Sequence, residues 1–228
     1  MRRSLRLGNP IAKRPYQPGL LGGALAIALL LAAYQVCHHF YVEQGRSAEQ
    51  ANQPDQAIVA YQIALRLNPW DAYSAYNLAS LLEQKGQLDA AIVAYEQAIQ
   101  ADDRYGFAYQ SLGQIWERQG KLDAAIGAYQ EAINFDPTFA PTYTVLGDAF
   151  KQQQRWNDAI SAYQKAIQAD PKFALAYHHL GLALQRQGRI PAAINAYRQA
   201  IALDQSYTAA HQHLQQAIQQ LNRSNNGY

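Results

Sequence analysis

Residues 121–136 read KLDAAIGAYQEAINFD, and residues 87–102 read QLDAAIVAYEQAIQAD, thirty-four positions earlier. A catalytic motif usually occurs once, whereas a string that recurs at fixed spacing marks a building unit. Aligned at that spacing, the chain gives five units: 38–71, 72–105, 106–139, 140–173 and 174–207. The twentieth column is alanine throughout (Ala57, Ala91, Ala125, Ala159, Ala193), as is the twenty-seventh (Ala64, Ala98, Ala132, Ala166, Ala200). The twenty-fourth is tyrosine throughout (Tyr61, Tyr95, Tyr129, Tyr163, Tyr197), and the eighth is small (Gly45, Ala79, Gly113, Gly147, Gly181).

Within each unit, apolar residues recur three and four apart, which is helical periodicity. Small residues let two helices approach, and the large residues of the fourth, seventh and twenty-fourth columns fill the space between them. Lys85-Gly86, Gln119-Gly120 and Gln187-Gly188 predict helix-ending turns. Asp89, Asp123 and Asn157 are predicted to cap the following helix, with Leu88, Leu122 and Trp156 as hydrophobic staples. Asp136-Pro137 and Asp170-Pro171 close their units, because proline does not continue a helix.

The pattern closely resembles the tetratricopeptide repeat, two antiparallel helices per thirty-four residues. The resemblance covers residues 38–207 and implies an all-α, right-handed superhelical solenoid. Residues 208–222 continue a helical stripe through Ala209, Ala210, Leu214, Ala217, Ile218 and Leu221, which reads as a capping helix. Residues 223–228 read as a disordered tail. The first repeat departs most, with Gln44 where a leucine is usual, and a continuous helix from about Pro18 to Ala51 is expected.

Residues 1–18 form a basic extended tail, in which Arg2, Arg3, Arg6, Lys13 and Arg14 meet no acid. The rest of the chain carries fourteen Lys+Arg against seventeen Asp+Glu. A mildly acidic body argues against a nucleic-acid partner, which needs a basic face. Pro15 to Val42 contains no Asp, Glu, Lys or Arg. Its core, Gly19 to Val36, would rise about 27 Å as a helix, against roughly 30 Å of bilayer hydrocarbon. Residues 19–37 are therefore predicted to be a transmembrane signal-anchor helix. A cleaved signal peptide fits less well, because bulky Tyr34, Gln35 and Val36 follow Ala32-Ala33. A buried soluble helix has no partner able to wrap it. Excess positive charge before the span predicts a cytoplasmic N-terminus and a repeat domain on the opposite side, in a periplasm or thylakoid lumen. Gly19 and Gly23 are spaced for close helix packing, which allows a homodimer.

The repeat resemblance implies that partners bind the concave face. The expected groove residues are Tyr73, Tyr76, Asn77, Phe107, Gln110, Gln114, Arg118, Thr144, Asp148, Lys151 and His178. Tyr73, Tyr76 and Phe107 supply the apolar strip, since exposed apolar patches mark binding sites. The surrounding lining is mixed in charge and suits a peptide or protein. Asn77 occupies one position of the carboxylate clamp of a chaperone-binding subtype, but the clamp's basic residues are missing. His179 and His213, thirty-four apart, are expected to neighbour each other, with His178 and His211, in a pH-sensitive patch. No phosphate loop, nucleophile turn or metalloprotease motif is present. The expectation is no enzyme, no cofactor and no metal site. The chain reads as a membrane-anchored scaffold, adaptor or assembly factor that binds a membrane-complex subunit. In layout it resembles the small anchored tetratricopeptide proteins that assist photosystem I assembly. A self-associating structural protein is the alternative.

Overall fold

The computed structural model describes residues 18–225, with side chains from Ala24 to Ser224. The basic tail and residues 226–228 lie outside this range, as do the side-chain environments on which the Gly19/Gly23 packing expectation depends. The described residues form eleven helices. They are α1 (Pro18–Gln50), α2 (Pro54–Leu67), α3 (Ala72–Gln84), α4 (Leu88–Ala101), α5 (Gly106–Arg118), α6 (Leu122–Phe135), α7 (Ala140–Gln152), α8 (Trp156–Ala169), α9 (Ala174–Arg186), α10 (Ile190–Leu203) and α11 (Thr208–Asn225). Each odd-numbered helix through α9 pairs with the even-numbered helix after it, and α11 covers α10. Helix α11 continues three residues past the end read from sequence.

The tyrosine and small-residue columns explain the pairing. All five column tyrosines are buried. A Cβ added to Gly113 would sit 2.6 Å from Tyr129 Cε1, so the ring occupies the space that any side chain would need. Tyr61, Tyr163 and Tyr197 lie in the same way over Gly45, Gly147 and Gly181. Two large apolar clusters run through the array, and Trp116 packs against both. Successive pairs therefore share one continuous interior.

The turns inside each pair follow one design. Gly86 N–H donates to Glu83 O at 2.9 Å, and Gln87 N–H donates to Leu82 O at 2.9 Å. This pair of hydrogen bonds closes a helix on a left-handed residue. Gly86, Gly120 and Gly188 hold φ values of +75°, +75° and +74°. Asn52 (φ 55°) and Gln154 (φ 59°) occupy the same turn in the other two pairs. A left-handed residue with a Cβ costs about 1 kcal/mol, least for asparagine. Gln154→Gly should therefore raise the melting temperature by about 2–4 °C, read by circular dichroism.

The capping expectation is corrected. Asp89, Asp123 and Asn157 stand one residue inside their helices, whose caps are Gln87, Lys121 and Arg155 and make no side-chain cap bond. Two of them instead tie neighbouring pairs together. Gln153 donates to Asp123 and Gln187 donates to Asn157, both at 2.7 Å. Each such bond crosses from the end of one odd-numbered helix to the start of the preceding even-numbered one.

Helix α1 is both the apolar N-terminal segment and the first helix of the first pair. Residues Ala24–Gln50 are long and apolar enough to cross a membrane, a property shared by signal sequences, and the window that passes this test is unburied. From about His38 onward the helix packs on the first repeat: Tyr41 and Gln44 share a hollow with Val59 and Ile63 of α2, Ala48 is buried, and Tyr61 donates to Glu49 at 2.5 Å.

Candidate functional site

The first helices of the pairs, α1, α3, α5, α7 and α9, line one face of the array, and a polar ladder runs along it. Tyr95 donates to Glu83 at 2.9 Å, Tyr129 to Glu117 at 2.7 Å and Tyr197 to Gln185 at 2.8 Å. In each case the acceptor lies twelve residues before the tyrosine. Burial pushes these phenols up, and for Tyr95 and Tyr129 the nearby carboxylate adds to the effect, so the hydroxyls remain donors. The next repeat supplies a second donor: Arg118 pairs with Glu83 and Gln152 bonds Glu117. The carboxylates are thus held in place by two repeats at once.

The fourth pair breaks the ladder. Its twelfth-column residue is Lys151, so Tyr163 turns to Asp148 at 2.8 Å. Lys151 donates to the same carboxylate at 2.5 Å, and His179 Nδ1 lies 2.9 Å from it. Burial pushes Asp148 up, but the hydrogen bonds and charges of His179 and Lys151 outweigh it and hold the carboxyl down at about 2.

The aromatic residues gather at the start of the first helices. Phe107 is 58% exposed and Tyr73 39% exposed. Tyr73 meets Tyr61 edge-on, whereas Tyr76 is partly buried between Tyr95 and Tyr105. Phe107 meets Phe139 edge-on, with ring centroids 6.0 Å apart. Beside them opens a hollow of about 170 Å³ between α5, α6 and α7. Phe107, Phe135, Phe139 and Tyr105 form its apolar wall, with Arg104 and Asp136 at its edge. Inside it Thr142 donates to the Gln110 carbonyl oxygen at 2.9 Å, which leaves the Gln110 amide N–H groups as donors.

Of the residues expected in the groove, Tyr73, Tyr76, Phe107, Gln110, Gln114, Arg118, Asp148 and Lys151 remain exposed or half-buried on this face. Asn77 does too, but its amide donates to Tyr73 O on its own helix. Two expectations are corrected. Thr144 is buried, because its short side chain turns back to donate to Ala140 O at 3.3 Å. His178 is buried because the cap closes over it: Tyr207 Oη lies 3.0 Å from its Nδ1 and His213 Nδ1 lies 2.9 Å from its Nε2. His213 therefore partners His178, while His179 turns to Asp148 and His211 to Gln205 O. Among the described residues, no group of His, Cys, Asp and Glu is placed to hold a metal. The apolar wall of Phe135 and the tyrosine–acid ladder escaped sequence reading. The twelve-residue spacing of Glu83/Tyr95 and Glu117/Tyr129 is the signal that would have shown the ladder.

Family models described as tetratricopeptide repeat match residues 42–107 and 174–207, and one described as TPR repeat matches 117–154 and 147–188. The chain belongs to the tetratricopeptide repeat family. No curated protein matches it. Among solved structures, the array is similar to MamA at 27% identity, covering 72% of this chain and 96% of that one, with a TM-score of 0.67. MamA from Desulfovibrio magneticus RS-1 shares the fold at 19% identity, covering 75% and 97%, with a TM-score of 0.68. YrrB, described as a TPR protein with an unusual peptide-binding site, shares it at 19% identity, covering 75% and 89%, with a TM-score of 0.65. The tetratricopeptide repeats make this chain a protein-interaction module.

Proposed function

We propose that this protein is a membrane-anchored tetratricopeptide scaffold that holds a segment of a membrane-complex subunit along its first helices. The observation that carries the reading is exposed Phe107 beside the apolar hollow that it walls with Phe135 and Phe139, with a second exposed aromatic, Tyr73, on the neighbouring helix α3. A solvated surface has no use for such a strip, and a recess of this size takes one apolar side chain of a partner. Gln110, Gln114, Arg118, Asp148 and Lys151 supply polar contacts beside it. Helix α1 supports the anchoring, since its apolar half has no protein around it. The basic residues before the span favour a cytoplasmic N-terminus with the repeats across the membrane.

In-cell crosslinking followed by co-purification tests the reading. Tyr73→Glu/Phe107→Glu should reduce capture of the partner roughly tenfold or more, as truncation of a central aromatic contact does. Helicity should be unchanged, because neither side chain is buried. Equal capture by wild type and variant places binding elsewhere, and capture of the protein's own copies alone supports the self-associating alternative.

A further inference from the structure

The loop that joins α2 to α3 carries Trp70, which is 70% exposed. Its place in the fold is fixed from two sides. The Asn68 side chain accepts from Trp70 N–H at 3.1 Å, which holds the turn. The next residue, Asp71, accepts from Ser74 N–H at the start of α3 and lies 3.0 Å from His38 Nε2 on α1. Because α2 runs antiparallel to the upper half of α1, this loop returns to the level at which the apolar span ends.

We propose that Trp70 is seated in the interfacial layer of the bilayer and is the array's second contact with lipid, beyond α1 itself. The inference rests on the reading of residues 19–37 as a membrane span. Heights decide it. His38 stands two residues past Val36, about 3 Å further along the helix. The headgroup layer is about 5–8 Å deep on each side of the hydrocarbon. Asp71, bonded to His38, therefore lies within that layer, and Trp70 is one Cα step of about 3.8 Å away. An indole, with an apolar body and one N–H donor, is enriched at that depth.

The pattern of the loops supports lipid as the occupant. The residues that match Trp70 in the later loops are Arg104, Thr138, Lys172 and Ser206. Only the loop beside the span carries an apolar residue there. Phe40, 54% exposed on α1 and about 6 Å past Val36, adds a second aromatic within the layer, beside Val59 and Ile63 of α2. Trp70 and Val93 share a shallow surface hollow with Pro69, Glu96, Gln97 and Gln100, so polar side chains of α4 border the apolar surface on that side.

The test is depth-resolved fluorescence of the full chain in phosphatidylcholine–phosphatidylglycerol vesicles. Trp116 and Trp156 are partly buried in the array, so the Trp70 signal is isolated by subtracting the emission of Trp70→Phe. Trp116→Phe/Trp156→Phe isolates the same signal directly. Lipids brominated near the headgroup should quench Trp70 more than lipids brominated deep in the chain, and aqueous iodide should lose most of its effect on it. A Trp70 quenched by iodide and indifferent to brominated lipid overturns the proposal. A Trp70 shielded from iodide yet indifferent to brominated lipid is covered by protein, which also overturns it. An alkaline wash separates the two layers of inference. Protein that leaves the vesicles defeats the span and this proposal together, whereas protein that stays with an unquenched Trp70 defeats the proposal alone.

Discussion

Tyr129→Ala is expected to lower stability by about 3–5 kcal/mol, the usual cost of emptying an aromatic site in a packed core. Tyr129 is buried in the middle repeat, over Gly113, and its hydroxyl reaches Glu117. Tetratricopeptide repeats contact only their neighbours, so the middle repeat joins the two halves of the array. Urea denaturation followed by circular dichroism should show an earlier midpoint and a broader transition, as the two halves melt separately. Tyr129→Phe keeps the ring and loses one hydrogen bond to a carboxylate, at a cost of about 1–3 kcal/mol. If Tyr129→Ala melted like wild type, the ring would not be the wedge that its column suggests.

That column is legible in the sequence alone, as are the small residues beneath it and the glycine turns. Helical period and thirty-four-residue spacing are properties of a single strand of text, and five copies average out local accidents. The same text misplaced the caps. Asp89, Asp123 and Asn157 look like caps because short polar residues favour that position. Asp123 and Asn157 are instead held by side chains of the next repeat, and sequence spacing within one repeat carries no trace of that neighbour. The site was legible in outline. Tyr73 and Phe107 stand open, but Thr144 and His178, in the same column as Tyr76 and Gln110, are buried. A column assigns a direction on a helix. Whether that direction reaches solvent depends on the surroundings: Thr144 turns back onto Ala140 O, and Tyr207 and His213 close over His178.

Acid should loosen the C-terminal end of the array well before carboxylates titrate. Burial, followed by repulsion from His179 and His213, pushes His178 down to about 4. An unfolded histidine titrates near 6.5. Between those values the unfolded chain binds a proton that the folded chain refuses, so stability falls as pH falls. The stability is complete above about pH 6.5 and drains toward pH 4, by on the order of 2–3 kcal/mol. Asp148 acts in a separate window. Its carboxyl is held at about 2, so its contribution persists down to about pH 4, the unfolded value, and is lost below it. Melting temperatures of wild type and His178→Phe at pH 7, 5.5 and 4.5 check the assignment. The variant should show a flatter profile across this range. An equal slope in both would mean that another group carries the dependence.

Helix α1 passes from its apolar segment into the first repeat without a break. A flexible tether would let the array tumble above the membrane and sweep a hemisphere. An unbroken helix leaves it one posture, with a stiffness set by hydrogen bonds along the mast. On the proposed anchoring, partners in the same membrane would meet the proposed strip at a constant altitude and heading, and their search would be reduced to diffusion in a plane. A free peptide arriving from bulk gains nothing from this geometry. On that reading the continuous helix would discriminate by where a partner lives, independently of the residues it presents.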